Sequence, residues 1–134
     1  MQTKMTAKRV IDDSIVSREE FEINLSQFLD DFYSCDNNDE KYLLIKDEYI
    51  GEYSEENEMI LRITAATVDE LCFRYQIEQR PEWIDKKKFI GSDKPIFYAP
   101  EGMLQKDRVY LMLKAPIKFI ERNIFVSRQF LVRF

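Results

Sequence analysis

The chain contains no histidine. That absence removes serine–histidine and cysteine–histidine nucleophile chemistry, in which an imidazole must carry the proton. It also removes most zinc sites, because the two cysteines present cannot fill a tetrahedral shell alone. Those two, Cys35 and Cys72, lack C-x-x-C spacing and read as buried, reduced thiols. Glycine (3) and proline (4) are scarce in 134 residues. Sandwiches and barrels need many tight turns, so the shortage favours long helices. No apolar run approaches the roughly 18 residues of a membrane helix. No apolar core follows the early charges Lys8 and Arg9, so a secretory leader is not expected. A soluble, cytoplasmic protein is the expectation.

What is present suits a packed globule, with 45% apolar and 13% aromatic residues. A chain of this size can bury about 70% of its unfolded surface in one core. The net charge of −5 is unevenly spread: residues 1–67 carry 16 acidic and 7 basic side chains, residues 68–134 carry 9 and 13. Such asymmetry either marks a basic binding face or is neutralised where the two halves fold together. The second reading is the simpler.

Taken in order, residues 1–16 show no sustained periodicity and read as an extended lead-in to a helical domain over 17–134. Ser17-Arg18-Glu19-Glu20 matches a capping box. Phe21, Leu25, Phe28, Leu29 and Phe32 then recur at spacings of three and four, an apolar stripe on one helix face. Asp36-Asn37-Asn38-Asp39-Glu40 resembles the start of an EF-hand loop. It fails where Lys41 replaces the turn glycine and Asp47 the bidentate glutamate. A polar turn that caps a helix at Asp39, running from Glu40 to about Glu48, is the better reading.

Ser54 opens the longest amphipathic stretch, a central helix over about 55–79. Its stripe is Ile60, Ile63, Thr67, Leu71, Cys72 and Tyr75, widened by Met59, Ala66, Val68 and Phe73. Nothing polar on it reads as converging, so it reads as scaffold. Arg80-Pro81-Glu82-Trp83 stops it. Lys86-Lys87-Lys88 reads as a solvated face. A long proline-containing loop near 92–104 is expected to wrap back and pack Phe97. Pro116 starts a short helix ending at Arg122-Asn123. The tail from Ile124 fits either a strand or a short helix capped by Ser127. The fold class is therefore all-α: a compact multi-helix domain around the central helix.

Three segments resemble a bacterial family of helical modules. Its members carry a V/R-P-x-W element after a helix, an aromatic-containing loop, and a closing S/T/A-P-x-x-F-x-x-R-N/G-x-F-V segment. Here these are Arg80–Trp83, the loop around Phe97, and Ala115–Val126. The resemblance covers roughly residues 17–134. In larger relatives the module looks like the C-terminal half of helix-turn-helix regulators. In short relatives it stands alone, encoded beside a nucleotidyltransferase-like protein in toxin–antitoxin-like arrangements. The lead-in is too short for a helix-turn-helix domain, so sequence-specific DNA binding is not expected. The shared residues Pro81, Trp83, Phe97, Pro116, Phe119 and Phe125 read as structural, and the halves around Trp83 and Pro116 are expected to meet at the indole.

The resemblance implies a non-catalytic partner or regulatory protein acting by protein–protein binding, with no cofactor or metal. Its partner would be a cognate protein, first of all a nucleotidyltransferase-like neighbour. The alternative is nucleic-acid binding by the basic C-terminal third, where Lys106, Arg108, Lys114, Lys118, Arg122, Arg128 and Arg133 face Asp107 and Glu121. Arg108, Lys118, Arg122 and Asn123 are the candidate partner-binding residues. Arg122 could equally cap carbonyls at a helix end. Carboxylate chemistry at Asp30-Asp31 or Asp69-Glu70 is disfavoured, because adjacent acids on a helix point about 100° apart.

Overall fold

The structure is a computed structural model that describes residues 4–14, 17–98, 111–127 and 130–131. It is mainly α-helical and is arranged around one helix that is buried on every side from Ile60 to Cys72. In chain order the elements are α1 (Ala7–Asp12), α2 (Arg18–Tyr33), α3 (Asn38–Leu43), α4 (Glu58–Tyr75), a 3-10 turn (Glu82–Asp85) and α5 (Lys87–Ile90). Then come β1 (Ile96–Phe97), α6 (Ile117–Glu121) and β2 (Ile124–Phe125), with residues 111–114 also helical. Among the described residues no helix is long and apolar enough to cross a membrane.

The capping box at Ser17 forms its forward half. The Ser17 hydroxyl accepts from the Glu20 amide at 3.1 Å, and the predicted stripe from Phe21 to Phe32 is buried. The expected extended lead-in is corrected: α1 lies within it. Thr6 caps this helix by accepting from the Arg9 amide, and the Ala7 amide donates to the Leu44 carbonyl at 2.8 Å. Ala7, Val10 and Ile11, spaced at three and four, are fully buried. Six residues are too few for a detectable period or for stability alone, so this helix exists by docking.

The second predicted cap also moves. Asn37, not Asp39, accepts from the Glu40 amide at 2.9 Å, and α3 is over by Leu43. Leu43 is 54% exposed. Lys41 takes the inner position instead: its ammonium donates to the Cys35 carbonyl at 3.1 Å and lies over the Phe32 and Tyr75 rings. A long aliphatic stem with its charge bonded and set against ring faces can be buried at little cost.

The predicted central helix is correct in place but shorter than 55–79. Ser54 does not cap it; Ser54 and Asn57 close a turn, each accepting from the other's amide, and α4 begins at Glu58. It stops at Tyr75 because Gln76 adopts a left-handed conformation (φ 53°) and Ile77 donates back to the Cys72 carbonyl. Every residue from Ile60 to Cys72 is buried. That run includes Arg62, Asp69 and Glu70, which the apolar stripe did not foretell.

The tail opens as a strand, Ile124–Phe125, while residues 128–129 and 132–134 lie outside the described residues. β2 pairs in parallel with β1, Ile96 against Ile124 and Phe97 against Phe125, whose rings stack at 5.1 Å. Asn123 (φ 62°) turns the chain from α6 into this pair, and its side-chain amide donates to the Asp93 carbonyl at 2.9 Å. Phe97 is only half-buried; its neighbour Tyr98 packs deeper, edge-on to Phe21. The remainder of the predicted loop, 99–104, lies outside the described residues. Two residues per strand leave the architecture helical.

Gly91 locks the end of α5 onto α4. Its φ of 72° belongs to the region glycine tolerates, and a β-carbon there would sit 2.6 Å from Arg62 Cδ. Gly91→Ala is expected to lower unfolding free energy by about 1–3 kcal/mol, from backbone strain and overpacking together. A urea midpoint unchanged by this substitution would contradict the packing described.

Candidate functional site

Two polar clusters sit against α4. Near its start, the buried Arg62 guanidinium donates to the Glu58 carboxylate (3.3 Å), the Lys94 carbonyl (2.7 Å) and the Arg122 carbonyl (3.1 Å). Glu58 also accepts from the Tyr53 hydroxyl and from the Ser92 amide and hydroxyl. Burial works to raise the Glu58 pKa, but the bonds from Tyr53, Ser92 and Arg62 outweigh it and hold the group low.

Near the other end, Asp69 accepts from Arg80 Nε at 3.0 Å and from Arg122 Nε and Nη2, both at 3.2 Å. Arg122 reaches on to the Ile84 carbonyl (2.9 Å) and Asp85 (3.3 Å), while Arg80 grips Asp85 with two nitrogens at 2.6 and 2.9 Å. Glu70 accepts from Arg74 Nε at 2.9 Å and from the Lys118 amide at 3.1 Å. The expectation that nothing polar converges on this helix is thereby overturned. Stripe reading scores apolar positions only, so it passes over a buried acid whose partners lie 11 and 53 residues away.

These contacts place the candidate residues. Arg122 is neither a free binding group nor a cap of its own helix: it ties the 3-10 turn and α6 to α4, with its side chain 9% exposed. Asn123 is a turn residue bonded to Asp93. Arg108 lies outside the described residues. Pro81 and Pro116 are buried and bound the 3-10 turn and α6, and Phe119 and Phe125 lie in the interior. The Trp83 indole donates to the Ile45 carbonyl at 2.9 Å and packs 4.7 Å from Phe89. The expectation that the segments around Trp83 and Pro116 meet at the indole is corrected: the indole sits on Ile45 and Phe89, while Arg122 reaches the Ile84 carbonyl and Asp85, just past Arg80–Trp83, and shares Asp69 with Arg80.

Lys118 stands apart from this group. Its ammonium pairs with Glu121 at 3.2 Å and lies 5.2 Å over the Phe73 ring. Phe73, expected to widen the core stripe, is 58% exposed, and Ile117 is 48% exposed. Lys118 thus lies against an exposed phenylalanine, with the exposed Ile117 just before it in α6, and its backbone amide on Glu70 joins it to α4. Nothing in the helical spacing separated Phe73 from its buried neighbours.

The lysine run is only in part a solvated face. Lys86 and Lys88 both pair with Glu48, and Lys88 also donates to the Tyr49 and Gly51 carbonyls. Both cysteines are free and buried, and burial, aided by Asp69, pushes the Cys72 thiol up to about 11. Such a thiol stays protonated at neutral pH and is a poor nucleophile. No protein-family model, curated protein or solved structure matches the chain.

Two measurements test the Asp69 cluster. Arg122→Met alone leaves a buried carboxylate short of a partner and is expected to destabilise by about 3–5 kcal/mol. Combined with Asp69→Leu, much of that loss returns, and a double-mutant cycle should show coupling of about 1–3 kcal/mol. Additive losses would mean the pair is not formed. Secondly, the Asp85 carboxylate is held below its usual value, chiefly by its bonds from Arg80. A carboxylate lowered in the fold stabilises fully above its unfolded pKa of about 3.9, and that contribution is lost as pH falls through the folded value. Asp85→Asn should therefore flatten the fall in stability below about pH 4 and leave its shape near neutrality unchanged.

Proposed function

We propose that the chain is a non-catalytic partner protein that binds, and regulates, one cognate protein through the face made by Phe73, Ile117 and Lys118. The observation that carries the reading is the exposure of two large apolar side chains on rigid elements, edged by a lysine. Large apolar groups held in water on a fixed scaffold favour a contact surface, and aromatic anchors dominate such contacts. A nucleotidyltransferase-like neighbour is the first partner to try, on the resemblance of Arg80–Trp83 and Ala115–Val126 to the stand-alone bacterial modules.

Within the described residues the nucleic-acid alternative draws less support. Arg122 is spent on Asp69, Asp85 and a carbonyl, and Lys118 is paired with Glu121. Phosphate binding needs cations free to displace counterions. The carboxylates of Asp69 and Glu70 are likewise engaged by arginines.

The test is co-purification from the native host. The wild-type chain should bring down one protein near stoichiometric ratio. Phe73→Ser, exposed and remote from the Arg62 cluster, should lose it while keeping the melting temperature within a few degrees. A partner retained equally by Phe73→Ser and by Ile117→Ser would move the interface elsewhere. A chain that elutes alone would remove the reading.

A further inference from the structure

A second feature lies over the Arg80–Trp83 turn. There the end of α3 and its following turn face the 3-10 turn across an open cleft of about 420 Å³, large enough for a small molecule. Its apolar walls are Pro81, Trp83 and the Tyr42 ring. Its charged walls carry both signs, and most of that charge is already committed. Glu48 is held by Lys86 at 2.7 Å and by Lys88 at 3.1 Å. Arg80 is held by Asp69 and Asp85.

What remains is specific. Among the described residues Lys46 and Glu82 have no ion-pair partner, and both are exposed at the cleft wall beside the Gln79 amide. One free ammonium, one free carboxylate and one amide, on a largely polar lining that only Tyr42 and the edges of Pro81 and Trp83 interrupt, do not suit a simple anion, which Glu48 and Glu82 would repel. They do not suit a cation either, with Lys46, Arg80 and Lys86 on the same walls. We infer that this cleft binds a small zwitterion, an amino acid or dipeptide with an apolar side chain. Its carboxylate meets Lys46, its ammonium meets Glu82, and its side chain lies against Pro81 and Tyr42. The site is separate from the Phe73 face and does not rest on the partner reading.

The chain carries its own reporter, because Trp83 is the only tryptophan and lines the cleft. Its indole bonds to the carbonyl of Ile45, the residue before Lys46, so occupancy at Lys46 is felt by the fluorophore. The experiment titrates the whole chain with leucine, phenylalanine and leucylphenylalanine. Tryptophan emission and ligand-observed saturation-transfer NMR are followed up to about 10 mM, beyond the weakest useful affinity. Saturable change is expected with at least one zwitterion, weakened about tenfold or more when either end is blocked by acetylation or amidation. Lys46→Glu and Glu82→Lys, both exposed, should each abolish it at constant melting temperature, and the double exchange should recover part of it. The proposal is overturned by equal response to blocked and free ligands. It is also overturned by a saturable response to inorganic phosphate alone, or by silence in both readouts across the panel.

Discussion

The burial of Arg62 is the constraint on which the rest of the fold depends. A guanidinium 1% exposed near the start of the central helix must find acceptors, and it finds them far along the chain. The Lys94 carbonyl lies just ahead of β1, and the Arg122 carbonyl lies just ahead of β2. One side chain therefore sets the entry of both strands, and the two-residue pairing of Ile96–Phe97 with Ile124–Phe125 follows from that placement. So short a parallel pair would not hold itself together in water. Gly91 belongs to the same constraint, since only a residue without a β-carbon lets the chain pass over the aliphatic part of Arg62.

The Asp69 cluster repeats the device at the other end of α4. Removing one partner from a buried charge leaves the other unpaired, a loss of several kcal/mol. Apolar packing tolerates slippage by a turn of helix; a carboxylate with three nitrogens on it does not. Buried pairs of this kind contribute less to net stability than their number suggests, and here they fix register. α6, the 3-10 turn and the Arg80 segment are held to one point on α4, so the Lys118 amide and the Phe73 ring arrive together. The proposed contact face is thus set by contacts on the inner side of the same elements.

Much of the helical architecture was legible because it follows spacing. The stripe of α2 and its Ser17 cap, the position of α4 and the start of α6 at Pro116 all depend on neighbours within four residues. The misreadings share a cause. α1 was too short to show a period, the strand pair is made by residues 28 apart, and Arg62, Asp69 and Arg122 acquire meaning only across the fold. Arg122 was open between binding and capping; its bond to the Ile84 carbonyl, near the end of the 3-10 turn, is of the capping kind, but its ion pairs to Asp85 and Asp69 lie 37 and 53 residues earlier, beyond the reach of spacing. Phe73 shows the opposite limit. A position beside the core line looks the same in sequence whether a neighbour covers it or not.

The charge asymmetry takes on a different meaning in the structure. The simpler reading had the acidic and basic halves neutralising each other, yet the described ion pairs are largely internal to each half. Arg80, Arg122, Arg74 and Lys118 take Asp69, Asp85, Glu70 and Glu121, all from the second half. Lys8, Arg9, Arg18 and Arg62 take acids of the first. Among the described pairs, Glu48 with Lys86 and Lys88 joins the two. Ion pairing among the described residues therefore organises each half from within. On the partner reading proposed above, contact through the exposed Phe73 and Ile117 would depend on lost water more than on charge, and would be little weakened by salt.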